Sequence, residues 1–176
     1  MSFEEGFIIN TIKRLEGYKS LGDKTFEQLE EKDFFFKASP ESNDIAIIVQ
    51  HLHGNMLSRF TNFLTEDGEK AWRKRDEEFE TVTQTKDEVI KLWEEGWQCV
   101  FNAIKSLKPE DLTKTIYIRS EALPVYDAIL RQLAHYPHHV GQILFIGKMI
   151  KDSDWKSLSI PKQHSTQYNE KLGHKA

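Results

Sequence analysis

An all-α protein, a four-helix bundle with long crossover connections, is the fold this 176-residue sequence predicts. Four stretches repeat their apolar residues at the three-and-four spacing of helices with one buried face. Few segments alternate apolar and polar residues as strands do. The connections after the second and third stretches are long enough to cross the bundle, so a simple up-down-up-down order does not follow.

Phe3, Phe7, Ile8, Ile12, Leu15 and Tyr18 define the first helix, which is expected to end at the turn signal LGDK. A short amphipathic piece, TFEQLEEKDFFF, comes next, and KASPESND supplies a proline and small polar residues before the second helix. There Ile45, Ile48, Val49, Leu52, Met56, Phe60 and Phe63 keep helical spacing to about Leu64. Residues 65–86 are polar and charged, with Trp72, Phe79 and Val82 as the only anchors, and read as a long excursion. Val89, Leu92, Trp93, Trp97, Val100, Phe101, Ile104 and Leu107 make the third helix, stopping before Pro109. TIYIR is a short extended candidate in the next crossover, and Ile129 to Ile150 form the fourth helix. Residues 1–152 thus form one domain, and residues 153–176 a polar tail on which no structure is forced.

A net charge of −4, with acidic and basic residues nearly balanced, gives no overall basic field for nucleic acid or a membrane surface. The single cysteine, Cys99, excludes an intramolecular disulfide and a Cys-rich zinc knuckle, and fits a reducing compartment. The N-terminal MSFEEGF carries acids where a secretory signal carries bases, and no apolar run approaches the roughly 18 residues of a spanning helix. A soluble cytoplasmic protein is the expectation.

The fourth helix contains QLAHYPHHVGQI, three histidines around a proline. Mid-helix, Pro137 removes one backbone hydrogen bond and crowds a carbonyl, a cost of about 3 kcal/mol; either ligation of a metal offsets it or the kink merely fits the packing. His135 and His139 share the HxxxH spacing that points two imidazoles at one metal. At about 100° per residue, His139 lies roughly 70° from the mean apolar direction, His135 roughly 110° and His138 roughly 170°, so His138 faces out. Edge histidines with ordinary hydrogen bonds show the same spacing, and HxxxH alone leaves both readings open. A catalytic metal needs a third protein ligand. The second helix offers HLHGN, where the same geometry puts His53 at roughly 75° and His51 at roughly 125°, favouring His53. His164 and His174 lie in the tail and are poor candidates.

HLHGNMLSRFTNFLTEDGEK, then WRKRDEEF, then ILRQLAHYPHHVGQI, in that order, resemble segments of the DinB-like superfamily of damage-inducible metal proteins, in particular a Bacillus-type branch, over nearly the whole chain. The resemblance implies a crossed-over four-helix bundle, often a homodimer, holding a divalent metal such as zinc or nickel through three histidines. Carried over by position these are His51, His135 and His139, with His53 kept as the alternative to His51. Two positions depart from the family pattern, which usually has small residues where His53 and Pro137 stand.

In GEKAWRKRDEEF, mixed charges usually mark a solvated face. The functional alternative is that Arg73 or Arg75 closes over the bundle mouth and clamps an anionic substrate group, with Arg59 and Arg119 as further candidates. Cys99, among Trp93, Trp97 and Phe101 with no adjacent base, reads as a small hydrophobe. The resemblance implies a metal-dependent S-transferase that joins a low-molecular-weight thiol of the bacillithiol type to an electrophile. The alternatives are a metal-dependent hydrolase, which lacks an HExxH glutamate, and a non-enzymatic helical dimer with a structural or sensory metal, whose closed site would take a fourth ligand from His53 or His138.

Overall fold

The computed structural model describes residues 1–80 and 85–173; Val82 and His174 lie outside the described residues. The chain is mostly helical, with one small two-stranded sheet. In order it forms α1 (Phe3–Phe26), α2 (Ile45–Phe60), α3 (Lys86–Lys105), β1 (Thr115–Ile118), β2 (Glu121–Pro124), α4 (Val125–Lys151) and α5 (Ser165–Lys171). Among the described residues, no helix is long and apolar enough to cross a membrane.

Helix α1 begins in a reciprocal cap: the Ser2 hydroxyl accepts from the Glu5 amide, and the Glu5 carboxylate accepts from the Ser2 amide. It runs past LGDK, where the sequence predicted its end. Gly22 is there a close-packing residue, since a Cβ would lie 2.7 Å from Cη2 of Trp93. Asp23, one residue on, accepts from the Trp93 indole at 2.7 Å and pairs with Lys19. A 3-10 turn at Glu31–Phe35 then drops Phe34 into the core.

Helix α2 starts at Asp44, whose side chain accepts from the Ile47 amide at 2.8 Å. It ends at Phe60, short of the predicted Leu64, because Asn62 adopts φ 50°, a left-handed conformation that no helix continues. Residues on every side of α2 are buried, because α3, α4 and the excursion surround it. Helix α3, capped by Thr85 and Glu88, presents Val89, Trp93, Trp97, Val100 and Ile104 as one buried stripe. Helix α1 packs on α3 and α4.

The first four residues of TIYIR form β1, and the strand turns back directly as β2, with Ile118 opposite Glu121 and Thr115 opposite Pro124. The two-residue turn Arg119-Ser120 has positive φ at both positions, 56° and 64°, with neither glycine nor asparagine. The Asp67 carboxylate accepts from both turn amides at 2.8 Å and offsets the strain. Helix α4 follows at Val125, four residues before the predicted Ile129, and runs unbroken through Pro137. In the tail, the Lys156 amide donates to Gln28, while α5 is exposed throughout.

Two glycines of α1 test this packing. Gly22→Ala should destabilise by about 1–3 kcal/mol through overpacking against Trp93, whereas exposed Gly17→Ala, with nothing within 4 Å of its Cβ, should stabilise by up to about 1 kcal/mol. Urea unfolding of both variants checks this; equal stabilisation would show that α1 does not seat on α3 as described.

Candidate metal centre

His51 projects from α2, and His135 and His139 project from successive turns of α4. Nε2 of His51 lies 3.4 Å from Nε2 of His135, which lies 3.1 Å from Nε2 of His139. One ligand atom from each falls within 4.8 Å of the other two. Nitrogens about 2.0–2.1 Å from a tetrahedral metal sit roughly 3.3 Å apart, and the His51–His135 and His135–His139 separations match that value.

The tautomers suit a metal as well. Nδ1 of His51 donates to Oε2 of Glu78 at 2.9 Å, and Nδ1 of His139 donates to Oε1 of Gln142 at 2.8 Å. Each ring then presents an Nε2 lone pair toward Nε2 of His135. A single proton on His135 bridges only one of the two contacts, whereas a cation satisfies all three nitrogens. Burial first, then the neighbouring imidazoles and Arg73, push the His135 imidazole down to about 3. His139 is also lowered, by burial against the opposing Gln142 bond, with His51 and His138 adding to the shift. Neutral rings are what ligation requires.

Glu78 comes from the charged excursion, in a 3-10 turn at Asp76–Phe79 packed on α2. Its carboxylate takes a bidentate pair from Arg73, Nε to Oε1 at 2.7 Å and Nη2 to Oε2 at 2.9 Å, besides the bond from His51. Burial alone would raise this carboxyl, but Arg73 and His51 hold it below the usual range. Gly54, one turn beyond His51, makes room: a Cβ there would collide with Oε1 of Glu78 and come within 2.8 Å of its Cδ. Phe79 packs against the His51 ring at a tilt of 31°, with centroids 4.8 Å apart, and Arg75 lies over Phe79.

The excursion is therefore not simply a solvated face. Arg73, Glu78 and Lys70 are buried, while Lys74, Arg75, Asp76 and Glu77 are exposed; Trp72, expected as an anchor, is 55% exposed. Arg73 is committed to Glu78 on one edge. Periodicity had favoured His53, and that preference is corrected: His53 points to the α3 side, its Nε2 3.4 Å from Glu95 but not aligned for a hydrogen bond. His138 is exposed, as its angle predicted, and meets the Gln142 amide. It borders a separate groove of about 480 Å³ around Phe145 and Met149. His164 lies in the exposed tail. Cys99 is half-buried, and burial raises its thiol despite contact with Thr61, which leaves it a poor nucleophile.

A cavity of about 250 Å³ opens onto His51 and His135, walled by arginines from the excursion, the hairpin turn, α2 and α4. Among the described residues no fourth histidine, cysteine or carboxylate joins the cluster.

Purified protein should carry about one divalent metal per chain. His51→Ala, His135→Ala and His139→Ala should each abolish tight binding, His53→Ala and His138→Ala should spare it, and Glu78→Gln should weaken it about 10- to 100-fold. Metal analysis and competition titration read these outcomes; loss of metal in His53→Ala alone would relocate the site. Without metal, His135 titrates near 3 when folded and at its ordinary 6.5 when unfolded, so the unfolded chain binds more protons between those values. Stability of the metal-free protein should fall as pH drops from about 6.5 toward 3, less steeply in His135→Gln, by urea midpoints.

A family model described as protein of unknown function (DUF1572) matches residues 2–164. No curated protein and no solved structure matches the chain.

Proposed function

We propose, for a chain that belongs to the DUF1572 family, the function of a metal-dependent S-transferase for a low-molecular-weight thiol of the bacillithiol type, on a DinB-like four-helix bundle holding zinc or nickel. The observation that carries this reading is the open trio: three imidazoles converge, two of them with tautomers fixed through Nδ1, no fourth protein ligand joins them among the described residues, and a cavity opens onto them. The Nε2 atoms of His51, His135 and His139 would hold a divalent ion, which would supply a Lewis acid that favours the thiolate form of a small thiol.

The chain's own residues do the rest. Glu78 and Gln142 orient the His51 and His139 rings by accepting from their Nδ1–H groups, and Arg73 keeps Glu78 ionised and in place. Transfer forms a carbon–sulfur bond to the electrophile and breaks its bond to the leaving group, which departs with the electron pair; the thiol proton passes to solvent.

Two features weigh against the alternatives. A closed structural site needs a fourth ligand, and His53 and His138, its expected suppliers, turn elsewhere. Hydrolysis needs a free general base, and Glu78 is saturated by Arg73 and His51.

Metal-loaded protein should accelerate conjugation of bacillithiol, or of another member of a panel including glutathione and cysteine, to a soft alkylating electrophile. Chelation or His139→Ala should remove the rate. No acceleration across the panel, together with a metal coordinated by four protein ligands, would replace this reading with a structural or sensory one.

A further inference from the structure

Five guanidinium groups face one small space. The cavity beside the triad is walled by Arg59, Arg73, Arg75, Arg119 and Arg131, with Asn55 and Gln132 between them, and no acidic residue lines it. The carboxylates that pair with these arginines stand behind them. Glu69 is shared by Arg59 and Arg119, Glu78 is divided between Arg73 and His51, and Glu121 lies 3.7 Å from Arg131. Asp76 reaches Arg75 only at 4.0 Å and is fully exposed. Positive charge therefore exceeds negative charge on the cavity side. Arg59 registers this: burial lowers its pKa against the opposing Glu69, and the charges of Arg73 and Arg119 lower it further.

A second observation is independent of the charge count. Arg73, with its side chain only 2% exposed, leaves Nη1 without a hydrogen-bond acceptor, although Nε and Nη2 are both engaged by Glu78. Buried Gln132, on the same wall, has an unpartnered Oε1. Buried polar atoms are seldom left so, and each such group costs free energy until a partner arrives. An oxyanion in the cavity supplies the acceptor Nη1 lacks, and a hydroxyl or protonated oxygen on the same group supplies the donor for Gln132.

We propose that this cavity is the subsite for a carboxylate or phosphate carried by a small substrate, whose reacting end reaches the histidine trio. Guanidinium forks match the paired oxygens of either group, and several of them around about 250 Å³ favour a compact, multiply charged anion. His51 and His135 form part of the same wall, so one small molecule spans both. As a substrate site this rests on the transferase reading; as an anion site it stands on the arginines alone.

The test is calorimetric titration of chelator-stripped protein, at constant ionic strength, with inorganic phosphate and separately with succinate. Saturable binding near one anion per chain is expected, weakened about tenfold by Arg119→Ala or Arg131→Ala and unchanged by Arg14→Ala on exposed α1. The mutated cavity arginines are half-exposed, and an unchanged melting transition confirms folding. Tighter phosphate assigns a phosphoryl group and tighter succinate a carboxylate; either supports the subsite. No saturable binding of either anion, or equal weakening by Arg14→Ala, overturns it. Anion binding without thiol transfer removes the transferase reading alone; transfer to thiols without anion binding removes the subsite alone.

Discussion

The buried carboxylate of Glu78, held between the guanidinium of Arg73 and the imidazole of His51, is the interaction on which the site depends. A buried charge persists only when paired, and removing one partner of such a pair costs about 3–5 kcal/mol. Here the pairing has structural reach. It pins the charged excursion to α2, fixes which nitrogen of His51 carries the hydrogen, and so turns the other nitrogen toward α4. Gly54 is the sequence's concession to it, since a side chain there would occupy the carboxylate's position.

From that fixed point the excursion shapes both the metal cluster and the space beside it. Arg73, which lines the cavity, serves Glu78 with one edge and leaves the buried Nη1 unpartnered. Asp67, on the same excursion, holds the Arg119-Ser120 turn and so sets Arg119 on the same wall. Glu69 ties Arg59 of α2 to Arg119 of the hairpin. Asp67, Glu69 and Glu78, all on the excursion, thereby place Arg59, Arg73 and Arg119 without lining the cavity themselves.

Much of this architecture is legible in the sequence, and the exceptions have physical causes. The four long helices follow from apolar periodicity because each has a distinct buried stripe, apart from α2. Helix α2 is buried all round, so the mean apolar direction says little about it: it selected His53, on the α3 side, and missed His51, which faces the excursion. For α4, with one covered face, the same reckoning separated exposed His138 from the half-buried His135 and His139. The order of motifs in the family resemblance, rather than geometry, pointed to His51. Glu78 was missed because Asp76, Glu77 and Glu78 are consecutive acids, and only the 3-10 turn decides which one points inward. The Arg119-Ser120 turn carries no glycine or asparagine, and its support, Asp67, is distant in sequence.

The central claim is that His51, His135 and His139 together hold one divalent ion and leave a position open. Anomalous diffraction from metal-loaded crystals, collected at the absorption edge of the bound metal, tests it most directly. A single peak is predicted about 2.0–2.1 Å from Nε2 of all three residues, with the remaining coordination supplied by solvent or a small ligand. A peak coordinated by Glu78 or His53 instead, or the absence of any peak among these three rings, would contradict it.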